Sequence, residues 1–184
     1  MEVAARLFGK YGFHKTSMDE IARIARKAKG SLYYHFKSKE ELFTAVVQVE
    51  LENLKAQLLP IVENNTLAAD QKMKQYLLKR MEVLNASSNY RETLTADFYE
   101  RFDFLSQMRN NLDNWERIQI KKIIQQGIDE NRFVDLSDKI DMILDVFIMV
   151  QKGLEIPFFL QGKYNKYSPH FDDMLNILIK GLAK

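Results

Sequence analysis

Apolar positions recur at helical spacing from the first residues. Val3, Leu7 and Phe8 share one face with Ala4 and Tyr11 beside them, and Gly12 follows where a helix should stop. This predicts a first helix from near the start to about Tyr11. Ser17 followed by Glu20 is a capping box, in which the hydroxyl accepts from the third helical amide and the carboxylate reaches back to the cap amide. A short second helix therefore begins at Ser17 and buries Met18, Ile21, Ala22 and either Ile24 or Ala25. Lys29 to Phe36 reads as a third helix, with Leu32 and Phe36 turned to the core. Ser38 and Glu41 form a second box, so a fourth helix opens at Lys39. Its residues Val47, Leu51, Leu54 and Leu58 keep the stripe until Pro60, which lacks a helical amide and must bend or end it.

Further amphipathic segments follow at roughly 69–86, 90–108, 110–130, 137–160 and 169–183. The last places Phe171, Met174, Leu175, Leu178, Ile179 and Leu182 on one stripe. The one before it carries Ile140, Ile143, Leu144, Phe147, Ile148 and Leu154, with Met142, Val146, Met149 and Val150 on its other sides. A helix apolar on nearly all sides must be covered on nearly all sides, and in a chain this small a partner subunit is the expected cover. Three prolines, seven glycines and no convincing strand alternation in 184 residues give an all-α fold. The expected division is a helix-turn-helix unit of three helices over residues 1–44 and a larger helical domain over 45–184.

Charge adds what the periodicity does not. The net charge is only +2, yet residues 1–44 hold nine Lys and Arg against five acids, and residues 21–39 hold six cations with no acid. A concentrated basic stretch on an otherwise balanced chain is the footprint expected for a phosphate partner. With no cysteine there is no disulfide framework and no thiolate metal site, and a cytoplasmic setting fits. The N-terminus has acid and arginine where a signal peptide needs an apolar run, and no later window is apolar enough to span a membrane.

The basic stretch also contains Tyr33, Tyr34 and His35. If the third helix lay in a DNA major groove, Gly30 would let backbone approach phosphate, and Ser31 is small enough to reach a base edge. Lys29 and Lys39 would supply charge, while the two tyrosines and the histidine suit phosphate oxygens and thymine methyls. The plainer alternative makes the tyrosines core aromatics and the lysines a solvated face. Two capping boxes, the glycine and the acid gap in one window favour the groove reader.

Residues 4–43, AARLFGKYGFHKTSMDEIARIARKAKGSLYYHFKSKEELF, resemble the DNA-binding domain of the TetR (tetracycline-repressor) family of transcriptional regulators. The resemblance rests on Ala5 with Leu7-Phe8, Gly12-Phe13, Thr16-Ser17, Ile21-Ala22, Lys29 to Phe36 and Lys37 to Leu42. It implies a homodimeric repressor whose divergent helical domain binds a small effector, whose last two helices form the dimer interface, and whose effector releases the operator. By the same match Thr16, Ser17, Tyr34, His35 and Lys39 would contact phosphate, and Lys29, Gly30, Ser31 and Tyr33 would sit at or near bases. Where the family usually has Gly, an apolar residue and Ser or Thr before Lys-Gly, this chain has Arg26, Lys27 and Ala28. Arg26 must then take a backbone geometry that glycine takes freely, or the turn is reshaped, and Ala28 forfeits a helix cap worth about 1 kcal/mol.

In the larger domain Tyr76, Met81, Phe98, Tyr99, Phe102, Met108, Trp115, Phe147 and Met149 are candidates to line an apolar effector pocket, although such residues also serve as plain core. Asp138, Asp141 and Asp145 share a helical face, offering either a cation site or a solvated acidic surface. No phosphate loop, dinucleotide fingerprint or HExxH motif is present, and the histidines His14, His35 and His170 stand in no nucleophile or metal pattern. An enzyme is therefore not expected, nor is a metal or cofactor. The remaining competitor is an all-helical adaptor that binds an anionic membrane surface or a partner protein through the basic segment.

Overall fold

The two serine caps set the frame of the N-terminal region. The computed structural model describes the backbone of residues 1–99 and 103–184 and the side chains of 1–95 and 104–184. Ser17 Oγ accepts from Glu20 N at 3.2 Å and Ser38 Oγ accepts from Glu41 N at 3.1 Å. The return half of the second box is displaced by one residue, because the Glu41 carboxylate takes the Lys37 amide at 2.7 Å. Between these caps lie α2 (Met18–Ile24) and α3 (Lys29–His35), preceded by α1 (Glu2–Tyr11) and followed by α4 (Lys39–Glu63). Neither expected fourth core residue of α2 is fully buried. Ile24 is exposed and Ala25, at the cap, is half-buried, because the chain turns away at once after Ile24.

Helix α4 continues past Pro60 to Glu63 instead of ending there. Pro60 falls in the last turn, where it removes a single helical hydrogen bond, and Lys72 Nζ donates to the Val62 carbonyl at 2.7 Å at the helix end, where carbonyls have no helical donor. The body adds α5 (Ala69–Ala86), α6 (Ser88–Tyr99) and α7 (Ser106–Asp129). It closes with α8 (Ile140–Glu155), the short α9 (Tyr164–Tyr167) and α10 (Phe171–Lys180). The break expected near residue 109 thus falls earlier, with α7 already running from Ser106. A π-helical turn over Ile156–Leu160 prolongs α8. No strand-forming segment occurs among the described residues beyond a single bridge between Phe133 and Ala183.

One core runs through the molecule. In the head, Phe8, Phe13 and Phe43 pack with ring centroids 5.1 to 6.1 Å apart, locking the first turn of α4 onto α1. Leu42, Val46, Val47, Leu51, Leu54 and Leu58 continue that contact along α4 into the body, all of them buried. At the centre of the body the core is charged. Arg80 of α5, only 2 % exposed, sends Nε to Glu116 Oε1 at 2.7 Å and Nη2 to Glu116 Oε2 at 3.1 Å. The same Nη2 reaches Glu155 Oε1 at 2.6 Å. Tyr76 donates to Glu116 at 3.1 Å and Tyr90 donates to Glu155 at 2.9 Å, so four helices meet in one hydrogen-bonded cluster.

Removing the cation from this cluster would strand two buried carboxylates, a loss of roughly 3–5 kcal/mol. Urea unfolding of Arg80→Ala should show a drop of that size. Burial, followed by the charge of Glu116 or Glu155, holds the Tyr76 and Tyr90 phenols well above their ordinary value of 10.0. The unfolded chain therefore releases these protons first, so the stability they contribute is intact below about pH 10 and is lost as pH rises beyond it. Denaturant melts stepped through alkaline pH should show this decline, and Tyr76→Phe or Tyr90→Phe should make it shallower.

Candidate nucleic-acid interface and internal cleft

Helix α3 contains no buried residue. Leu32 and Phe36 are partly covered against the core, while Lys29, Gly30, Ser31, Tyr33, Tyr34 and His35 all face outward. Tyr34 is 85 % exposed, and its ring meets His35 edge-on at 5.3 Å. Lys29 Nζ lies 5.7 Å from the centre of the Tyr33 ring and pairs with Asp19 Oδ2 at 2.8 Å. The hydrogen bond and charge of Asp19 raise the Lys29 ammonium above its usual value, so it stays protonated through the neutral range. A Cβ at Gly30 would meet nothing within 4 Å. Glycine costs about 1 kcal/mol against alanine inside a helix, and no packing of this chain requires it there. What it keeps clear is space outside the molecule.

The turn before α3 departs from easy geometry as the sequence indicates. Arg26 has φ +52°, a left-handed conformation that glycine adopts without strain. Its amide bonds the Arg23 carbonyl at 3.2 Å, and Lys27 N bonds the Ala22 carbonyl at 3.0 Å, which hold the turn closed. Ala28 caps α3 in an extended conformation with no side-chain acceptor.

Two candidates sit differently from the rest. Thr16 is 1 % exposed, and its hydroxyl donates to the Gly12 carbonyl at 2.9 Å. Its side chain braces the α1–α2 turn and is absent from the exposed surface, because the small β-branched residue fills the gap beneath that turn. Lys39 is half-buried, donates to the Phe13 carbonyl at 3.0 Å and lies 4.2 Å over the Phe13 ring. Ser17 is exposed at the start of α2, with its oxygen already serving the cap. Arg23, Arg26 and Lys27, just before α3, are exposed cations as well; the acid gap marked all three in the sequence, and the unusual turn marked Arg26 and Lys27 again.

The body holds an apolar cleft of about 60 Å³ between α5, α8 and α10. Of the expected pocket residues, Met81 and Phe147 line it. Tyr76 instead belongs to the charged cluster, Met108 is buried in α7, and Trp115 is half-buried with Lys55 Nζ 6.0 Å from its ring. Met149 is 61 % exposed, on the opposite side of α8 from that helix's buried face. The side chains of Phe98 and Tyr99, and Phe102 altogether, lie outside the described residues. Arg80 and Gln151, which line the cleft, were not singled out from the sequence. The available signal was polarity in the wrong place: Arg80 follows Tyr76 and Leu77 on the apolar stripe of α5, and Gln151 continues Leu144 and Ile148 on that of α8. Asp141 and Asp145 face Arg117 and Lys121 of α7 in ion pairs of 2.9 to 3.4 Å, which ties the acidic face of α8 to a neighbouring helix.

Known proteins share the head most strongly. Residues 1–46 match the family described as bacterial regulatory proteins, tetR family. The regulator QacR of Staphylococcus aureus is 46 % identical over 48 residues, which is 26 % of this chain and 26 % of QacR. RutR of Escherichia coli is 36 % identical over 84 residues, 45 % of this chain and 38 % of RutR. The aligned stretches therefore span between a quarter and two fifths of these curated relatives. Over the whole chain the likeness is one of fold: a transcriptional regulator from Cytophaga hutchinsonii superposes with a TM-score of 0.79 at 21 % identity, covering 100 % of this chain and 96 % of that one. The ketosteroid regulator KstR2 of Mycobacterium tuberculosis superposes at 0.65 and 22 % identity, covering 100 % and 92 %. The capped three-helix head with its outward-facing α3 thus matches the tetR family of bacterial regulatory proteins over residues 1–46, and the all-helical body shares the fold of solved transcriptional regulators.

Proposed function

We infer that the chain is a ligand-responsive DNA-binding transcriptional regulator, a homodimeric repressor that leaves its operator when a small molecule binds the body. The observation that carries this reading is α3 itself: a short helix with nothing buried, a glycine no internal contact requires, and Lys29, Ser31, Tyr33, Tyr34 and His35 turned outward. Ser31 and Tyr33 suit base edges, and Tyr34, His35 and the exposed Ser17 suit phosphates. Lys29 exchanges its exposed pairing with Asp19 for the DNA, a small cost because water already screens that pair. Lys39 acts in the first place by pinning the Phe13 turn to α4, with its charge at the edge of the interface. Residues 1–44 are the reading head in this proposal and 45–184 the sensing and dimerising body, with α4 crossing the division as one continuous helix.

Dimerisation is supported by apolar surface that is left exposed among the described residues. On α8, Met142, Val146, Met149 and Val150 are 49 to 69 % exposed at spacings that form a single stripe, and Ile177 and Leu178 of α10 are 71 % and 56 % exposed. A second copy laid against these helices buries the stripe on both sides. Paired heads would then meet successive major grooves about 34 to 36 Å apart.

Helix α6 supplies a route from body to head. Glu50 of α4 accepts from the Asn89 and Tyr90 amides at 3.2 and 2.7 Å and so caps α6, while Glu92 accepts from the Phe13 amide at 3.0 Å. Tyr90 on the same helix donates to Glu155 in the charged cluster. An effector that binds better to a conformer with shifted α6 and α4 draws the population away from the spacing DNA requires.

Selection of bound fragments from random duplex DNA should yield a palindromic site. Tyr34→Ala should weaken binding to all duplexes alike, whereas Ser31→Ala or Tyr33→Ala should change the preferred bases; equal, sequence-blind losses from all three would refute the assigned roles. With about eight phosphates contacted per dimer, log affinity should fall against log salt with a slope of about −7. Sedimentation of Met149→Glu should give a single subunit at concentrations where the unaltered chain is paired, with a thermal melt of the subunit little changed because residue 149 is exposed.

A further inference from the structure

The outward face of α8 keeps a period of its own. Met142, Val146, Met149 and Gly153 follow at steps of four, three and four residues, on the side of the helix away from the buried Leu144, Gln151 and Glu155. That is the spacing of a seam between two helices. All four positions are exposed, Met142 most of all at 69 %. Glycine is a poor helix former, and nothing within the subunit calls for it at 153. Its backbone is not left-handed, and a Cβ there would meet nothing within 4 Å. The gap it leaves in the seam opens outward.

A seam of this spacing is its own complement about a two-fold axis. Two copies of α8 laid antiparallel, with the axis level with the bond between Phe147 and Ile148, bring Met142 over the partner's Gly153 and Val146 against the partner's Met149. The most exposed side chain of the seam then fills its one gap, as close packing requires. Centring the axis on Met149 would instead set Gly153 against the partner's Asp145, a carboxylate already paired with Arg117 of its own subunit. The charges beside the seam are all engaged at home: Asp141 with Lys121 and Arg117, Asp145 with Arg117, and Lys152 with Asp113. Covering the seam therefore buries no unpaired charge from α8.

Helix α10 supplies an independent observation. The Phe158 and Phe171 rings, 5.0 Å apart, join the end of α8 to the start of α10, and Val134 N donates to the Leu182 carbonyl at 2.9 Å at the opposite end. Thus α10 runs back alongside α8. Its Ile177 is flanked by Asp173 and Lys180, both exposed and in no ion pair among the described residues. An antiparallel copy of α10 crossing at Ile177 meets Asp173 with the partner's Lys180 and Lys180 with the partner's Asp173. Self-complementary charge on one helix and self-complementary size on the other fit the same occupant, a second copy of this chain.

We propose that two copies pair in a single register, Met142 of each α8 seated on the partner subunit's Gly153 and Val146 packed against the partner's Met149. This rests on the homodimer of the function inferred above and adds which residues meet. It also sets which chains can pair, since one with a larger residue in place of the glycine is shut out.

The chain has no cysteine, so introduced thiols report alone. Residues 142 and 153 stand about 16 Å apart along one helix, too far for a disulfide within a subunit. Met142→Cys combined with Gly153→Cys in the full chain should link two subunits on mild oxidation, read by non-reducing electrophoresis, and either substitution alone should leave them unlinked. Gly153→Met should raise the dimer dissociation constant in sedimentation about tenfold or more, although it improves the helix. Adding Met142→Gly should recover most of that loss, because the large and small residues have then changed places. The linkage test stands whatever the exchanged variant does, since cysteine at these exposed sites disturbs no packing within the subunit. A dimer that the thiol pair does not link, linkage by Gly153→Cys alone as fast as by the pair, or pairing unaffected by Gly153→Met would each overturn the register and leave the homodimer standing. A chain that stays a single subunit at every concentration would sink both.

Discussion

A guanidinium shut away from water stays charged only where its neighbours replace the lost hydration, and Arg80 meets that condition with two carboxylates from different helices. The arrangement joins α5 to α7 through Glu116 and to α8 through Glu155, and Tyr90 brings in α6. Apolar packing alone would hold these helices together but would tolerate sliding, since hydrophobic contact has no direction. Hydrogen bonds between fixed forks and carboxylates do not slide. The four helices therefore have one register at their centre, and a change at any one of them is felt by the others.

Much of the fold was legible because it follows from local rules. The two serine caps, the apolar stripes and the boundaries of α5 rest on contacts within a few residues, and these the pattern of side chains announces directly. What escaped notice depended on distant partners. Pro60 reads as a bend or an end of the helix, and only Lys72, ten residues beyond Val62, supplies the donor that the Val62 carbonyl takes. The break between α6 and α7 came earlier than the periodicity implied, since the polar residues near 110 belong to a helix already under way.

The candidate site divides along the same line. Residues of α3 were legible because outward display at the wrong spacing for a core is a local property. Thr16 was not, because the Gly12 carbonyl that captures its hydroxyl is a matter of how the turn closes. In the body, aromatic and methionine residues drew attention by type, yet a side chain of that kind is equally at home in a core, an open cleft or an exposed stripe, as Tyr76, Phe147 and Met149 respectively illustrate. The polar residues within apolar stripes were the sharper clue, since only a partner or a ligand accounts for them.

The contact between Glu92 and the head has a character of its own, for the carboxylate grips the main-chain amide of Phe13 and not a side chain. Every amino acid but proline presents that amide alike. Gly12 beside it is left-handed at φ +82°, and a Cβ there would come within 2.9 Å of Glu92 Oε1, so the joint constrains this one neighbour while leaving the outward letters of α3 free to drift. On the function proposed above, which duplex is read can thus change without disturbing how the reader is held.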